Sequence, residues 1–312
     1  MSRNERAETG DSLRTVLARA PGWSDKSLML SPVMGGLTNV NWRIDVDGDP
    51  RSYFVKVPGP GTEQFIKRDT VNAASRQAAE LGVGPEVFFY DPDTGIEVSE
   101  FLVDYRSSTM EDLSQPDAIA QVMDLYRTWH AGPALPQTKT MLDMVEEHRE
   151  QVRRDGTVMP PWVEEVLSAY DEAAASFLAA GLDIVPCHNA PNPSNFMRST
   201  AEPMHPMQLI DYDYASNNDR SYEIGVFVGG YFFDEDQTRQ AIEHYFGRSD
   251  PQLWARVQVS RVIADVKWGL WALVNARVWG GDFDYYKYGL WDLRRAHFDI
   301  QATGWRDQLR LL

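Results

Sequence analysis

Strand signals crowd into residues 28–101 of this 312-residue chain and helical signals into residues 118–300, and that segregation limits the fold more than any other feature. Leu28–Met34 leads to the glycine pair Gly35-Gly36, Asn39–Val46 alternates apolar and polar residues, and Ser52–Val57 follows the turn Gly48-Asp49-Pro50. These stretches predict an antiparallel meander. Alanine-rich Asp69–Leu81 predicts a helix ended by Gly82, and Glu86–Tyr90 and Ile96–Phe101 flank Asp91-Pro92-Asp93-Thr94-Gly95, a hairpin signal. Downstream, Ala118–Trp129, Met141–Arg153, Trp162–Ala180, Gln237–Phe246, Leu253–Val278 and Tyr285–Ile300 have helical spacing, interrupted by strand-like Ile184–Cys187 and Met207–Tyr212. A small sheet with one helix, then a mostly helical half, predicts an α+β protein of two lobes with a cleft between them. The expected divisions are a tail and short helix over 1–24, an N-lobe over 25–102 and a C-lobe over 103–312.

Charge narrows the partners. Lys and Arg number 30 and Asp and Glu 46, a net charge of −16. Such a surface repels nucleic-acid phosphate and anionic membranes. It is compatible with cationic small substrates, but plain solubility is the simpler reading of it. The single cysteine, Cys187, permits no disulfide within the chain and fits a reducing cytosol. The polar start MSRNERAETGDS predicts no signal peptide, and no apolar run reaches the ~18 residues of a membrane span, so a cytoplasmic protein is expected, as monomer or homodimer. The six histidines show no metal-ligand spacing.

The segment with most chemical content is Cys187-His188-Asn189-Ala190-Pro191-Asn192-Pro193-Ser194-Asn195, followed by Leu209-Ile210-Asp211-Tyr212-Asp213-Tyr214-Ala215. Phosphoryl transfer needs a group to orient the attacking hydroxyl, divalent cations to neutralise the phosphates, and side chains to hold those cations. Both stretches are similar to the Brenner-type motif of choline and ethanolamine kinases and, more distantly, of aminoglycoside phosphotransferases. The resemblance implies a protein-kinase-like fold, ATP and Mg²⁺ as cofactors, and transfer of the γ-phosphoryl group to a small alcohol. It assigns magnesium to Asn195 and Asp211, and loop orientation to His188. The family's catalytic aspartate falls at Ala190, whose methyl group accepts no proton. Survival of His188, Asn195 and Asp211 favours a deliberate Asp→Ala replacement over a natural pseudokinase, since decay would erode several positions.

Upstream, Gly35, Gly36, Thr38 and Asn39 resemble the family's glycine-rich turn, and Lys56 in Phe54-Val55-Lys56-Val57 its phosphate-binding lysine. The acidic partner of Lys56 stays unassigned. Glu100 and Leu102 lie in the stretch that resembles the hinge, where backbone groups would meet adenine. Asp213 and Glu223 match further family acids; Asp213 is assigned to the acceptor end and would face the metal region if the strand alternates, and Glu223 would buttress the loop.

The stretch Asp265-Val266-Lys267-Trp268-Gly269-Leu270-Trp271 resembles the tryptophan helix of choline kinases, and Tyr285 and Tyr288 a pair of pocket tyrosines. Trp268, Trp271, Tyr285 and Tyr288 could box a quaternary ammonium by cation–π attraction, or form a packed aromatic core. The family's acidic pocket residue falls at Gly230, with Asp234, Glu235 and Asp236 close behind. A cationic amino alcohol such as choline is the first acceptor to consider. Another alcohol (an aminoglycoside or thiamine) and a ligand-binding pseudokinase are the rivals.

Overall fold

The computed structural model describes residues 12–34, 39–59, 61–64, 66–202, 204–278, 283–302 and 304–312. Its elements begin with α1 (residues 12–17), β1 (Leu28–Val33), β2 (Asn39–Val46), β3 (Ser52–Pro58), α2 (Arg68–Glu80), β4 (Val87–Asp91), β5 (Ile96–Glu100) and β6 (Tyr105–Ser107). There follow α3 (Met110–Leu113), α4 (Pro116–His130), α5 (Met141–Arg154), α6 (Val163–Ala180), β7 (Ile184–Cys187), β8 (Phe196–Ser199), β9 (Gln208–Leu209) and β10 (Ser216–Asp219). The chain closes with α7 (Arg220–Gly230), α8 (Glu235–Phe246), α9 (Pro251–Val278), α10 (Tyr285–Gln301) and α11 (Trp305–Leu311). This is the expected two-lobed α+β architecture, a small antiparallel sheet lobe and a larger, mostly helical one. Among the described residues no helix is long and apolar enough to cross a membrane.

One compact unit comprises residues up to Ser107 together with Asn195–Tyr214. Its antiparallel sheet has the order β1-β2-β3-β5-β4. Alternation along β2 sends Trp42, Ile44 and Val46 into a core with Tyr53 and Val55 of β3, Ile96 and Val98 of β5, and Leu13 and Leu17 of α1. Trp23 closes that core, its ring centroid 4.9 Å from Tyr53 and 5.1 Å from Phe88. A second sheet, β6-β8-β9, recruits chain from far along the sequence. It explains why residues 195–214 pack here although they follow most of the helices. Met207–Tyr212 is strand only over Gln208–Leu209, because Asp211 takes a left-handed φ of 70° that no ladder accommodates.

The other unit comprises Ser108–Ser194 and Ala215–Leu312. Its core joins α5, α6, α7, α9 and α10 through Val145, Tyr170, Phe177, Tyr222, Val266, Leu270 and Leu293. Thr140 and Asp234 start α5 and α8 with reciprocal capping boxes to Asp143 and Gln237. Helix α7 escapes sequence reading because it is buried on nearly all sides and ends in Gly229-Gly230, so it offers neither an amphipathic stripe nor strong propensity. Asp219 caps it, accepting from Ser221 N at 2.8 Å. Close packing secures it too, since a Cβ at Gly225 would lie 2.7 Å from Ser260 Cβ.

Glycines also set the crossing of α9 and α10. A Cβ on Gly289 would sit 2.6 Å from the Gly269 carbonyl oxygen, and one on Gly269 would sit 2.7 Å from Leu293 Cγ. Backbone cannot retreat as a flexible side chain can. Gly289→Ala is expected to lower stability by about 1–3 kcal/mol, read by denaturant unfolding, whereas Gly230→Ala, where a Cβ meets nothing within 4 Å, stays near wild type.

Burial, reinforced by the Lys267 charge, pushes His148 on α5 down from 6.5 to about 3. The unfolded chain therefore binds a proton that the folded one refuses over this window. The stability contributed by neutral His148 is complete above 6.5 and is lost as pH falls toward about 3. Near pH 5.5 the loss is expected to be about 1 kcal/mol, and His148→Gln should flatten that part of the stability–pH profile.

Candidate active site

Alternation along β3 buries Val55 in the core and turns Lys56 to the other side of the sheet. There Lys56 Nζ lies 2.6 Å from Asp211 Oδ1 and 2.6 Å from Asp213 Oδ1. Asn39 Nδ2 donates to Asp213 Oδ2 at 2.7 Å. Burial alone would push the lysine down, but the charges and hydrogen bonds of Asp211 and Asp213 overcome it and hold the ammonium above its ordinary value. Asp213, assigned above to the acceptor, thus gives its carboxylate to Lys56 and Asn39.

The acidic pair is fixed by backbone. Asn195 O accepts from Ile210 N at 3.0 Å, which seats Asn195 beside the residue preceding Asp211. Leu209 N donates to Val83 O at 2.7 Å, and Tyr212 OH to Leu209 O at 3.1 Å. Gly84 permits this approach, since a Cβ there would come 3.2 Å from both Leu209 O and Tyr212 OH. Two carboxylates converging on one cation form a hard-oxygen set of the kind that fits Mg²⁺.

Glu97, which the sequence did not single out, lies opposite Lys56 in the β3–β5 register. Burial raises its carboxyl pKa, opposed by a hydrogen bond from Asn72 on α2 and by the Lys56 charge. It shows that a strand, as well as a helix, can bring an acid to this lysine, but only strand pairing reveals it. Glu100 N and Phe101 N are engaged by Glu86 O and Ser52 O, at 2.8 and 3.1 Å, while Leu102 is half-buried. Gly35, Gly36 and Thr38 lie outside the described residues.

In the other unit, β7 delivers His188, Asn189 and Ala190. Fully buried Glu223 accepts from the backbone N–H of His188 and, at 2.8 Å, from that of Asn189. Asn189 holds a left-handed φ of 66°, its side chain donating to Ser216 Oγ and accepting from Asn218 Nδ2, each at 2.9 Å. Ala190 N donates to His188 Nδ1 at 3.3 Å, and Tyr231 OH to Pro191 O at 2.9 Å. Beneath the loop His130 Nδ1 meets Tyr245 OH at 2.6 Å, and Nε2 lies 3.9 Å from Cys187 Sγ. Burial pushes the Cys187 thiol well up, so it is a packed thiol rather than a nucleophile.

The four expected aromatics form one chain of rings. Trp268 meets Trp271 edge-on at 5.3 Å, and Trp271 meets Tyr285 at 5.9 Å. Phe283, unremarked in the sequence, links Tyr285 at 4.8 Å to Tyr288 at 5.6 Å. Trp271 and Tyr285 are buried, Trp268 half-buried, and Phe283 and Tyr288 exposed. Gly230 is exposed, and Asp234 is committed to its helix cap.

The family model described as choline/ethanolamine kinase matches residues 30–296. A probable choline kinase 3 from Arabidopsis thaliana is 25% identical, covering 89% of this chain and 90% of its own. The crystal structure of a choline/ethanolamine kinase family protein from Mesorhizobium loti superposes with a TM-score of 0.80 at 23% identity, covering 97% of this chain and 98% of the other. That of choline kinase LicA from Streptococcus pneumoniae gives 0.78 at 20%, covering 94% and 99%. At these identities the structural likenesses speak for the fold.

Lys56→Met should leave Asp211 and Asp213 facing each other without that cation. The expected loss is about 1–3 kcal/mol, less than for a fully buried pair because Asp211 is only partly buried. Millimolar Mg²⁺ should restore the melting temperature of Lys56→Met but not that of Lys56→Met/Asp213→Asn.

Proposed function

The chain is a phosphotransferase belonging to the choline/ethanolamine kinase family, and we propose that it transfers the γ-phosphoryl group of ATP to the hydroxyl of a small cationic amino alcohol, with Ala190 impairing that step. The observation that supports the site most directly is the convergence of Asp211 and Asp213 on Lys56 at 2.6 Å each.

In this reading Lys56 leaves Asp211 to grip the α- and β-phosphates while keeping Asp213, and Asn39 borders the triphosphate. Asn195 and Asp211 hold magnesium, and Asp213 steadies Lys56 and Asn39 beside it. Bound there, Mg²⁺ supplies charge neutralisation on the transferring phosphoryl group. Glu100 and Leu102 flank the adenine. His188 and Glu223 shape the loop so that residue 190 faces the acceptor hydroxyl. Trp268, Trp271, Tyr285 and Tyr288 receive the cationic end.

An aspartate at 190 would orient the hydroxyl and take its proton, and its absence lowers the rate by about 10²–10⁴-fold. Ala190→Asp is expected to raise ATP turnover by that factor with one amino alcohol from a panel headed by choline and ethanolamine. ATP binding without turnover by either form would favour the second reading, a ligand-binding pseudokinase, for which Ala190 itself is the supporting observation.

A further inference from the structure

The rings of α9 and α10 do not all present open faces. Lys267, only 1% exposed, lays its Nζ 2.9 Å from the centroid of the Trp268 ring. One face of Trp268 is therefore covered by the chain's own side chain, whichever protonation state that side chain holds. Burial keeps the amine well below its ordinary value, Lys139 acts the same way, and Glu147 and Asp292 oppose them. Any positive charge on Lys267 also repels a second cation brought to the same ring, because Coulomb repulsion across a ring is strong in a poorly hydrated site.

The acids nearby favour one type of head group. Gly230 offers no carboxylate, and Asp234 is committed to its cap. Asp292, one helical turn beyond Tyr288, is 2% exposed and pairs with Arg295 at 3.1 Å through Oδ1. Its Oδ2 is buried and has no hydrogen-bond partner among the described residues. An ammonium that retains N–H bonds could satisfy such an oxygen. A quaternary ammonium has none to donate and relies on aromatic faces alone.

We infer that Lys267 is a specificity-determining residue: by covering Trp268 it weakens capture of quaternary ammonium groups and turns the acceptor preference toward amino alcohols that keep N–H bonds. The role of the rings in holding an acceptor rests on the kinase reading above; the covering of Trp268 does not.

The test is tetramethylammonium binding, followed by calorimetry, in the unaltered chain and in Lys267→Met. Methionine keeps the length and fills the buried space without an amine. The expected result is a gain in affinity of about ten-fold or more, the size of a cation–π contact in a desolvated site. The gain should vanish in Lys267→Met/Trp268→Leu. Equal or weaker binding by folded Lys267→Met overturns the inference, as does a gain that survives loss of Trp268. Should Lys267→Met not fold, Lys267→Gln takes its place under the same criteria. In the Ala190→Asp background the ratio of choline to ethanolamine turnover should rise by a similar factor. Turnover there with unchanged tetramethylammonium affinity sinks this inference and leaves the kinase reading standing. A ring-dependent gain in affinity with no turnover of any acceptor does the reverse.

Discussion

Lys56 and the two carboxylates that close on it join β3 to a segment more than 150 residues further along the chain. The sheet lobe is consequently built from two distant stretches of sequence. Its second piece is held by β8 and β9, by the Leu209–Val83 backbone bond, and by the notch at Gly84. Lys56 also answers an electrostatic problem. Asp211 and Asp213 approach closely enough to need a shared cation, and burial would otherwise penalise both the lysine and buried Asp213. A lysine gripped by two carboxylates at 2.6 Å each is held in place.

The loop before Asn195 shows a different economy. Its backbone amides end on buried Glu223, and Asn189 occupies a conformation that few side chains tolerate. Such geometry costs about 1–3 kcal/mol unless the surroundings enforce it. Here Ser216, Asn218 and Glu223 do so. The loop around Ala190 is therefore held by side chains of β10 and α7 rather than by its own sequence.

Sequence reading succeeded where chemistry lies in short linear spacing. The strands through β5 and the long helices follow from local pattern, whereas the pairing of Lys56 with Asp211 and Asp213 joins residues more than 150 positions apart and did not. It failed where meaning arises only across elements. Glu97 matters through its register opposite Lys56, Phe283 through its position between two tyrosines, and Asp292 through an oxygen that packing leaves alone. Helix α7 was hidden because burial on nearly every side erases amphipathic periodicity. The end of β9 was misjudged because a left-handed aspartate carries no composition signal in an apolar run.

The pair α9 and α10 shows why a polar set can lie within an aromatic layer. Gly269 and Gly289 bring the two backbones into contact, which leaves no room for a side chain at either position of the crossing. Asp265, Lys267 and Asp292 are buried alongside, with half-buried Arg295 bridging the two acids. Burial raises the carboxyls of Asp265 to about 6 and of Asp292 to about 7, against the pull of Arg295. Both acids would be easier to accommodate as apolar residues, because hydrophobic replacements of buried ionic groups are commonly neutral or stabilising. The arrangement of this polar group makes sense if the layer must distinguish charges as well as pack, with Arg295 holding the acids in place and Lys267 controlling what Trp268 can receive.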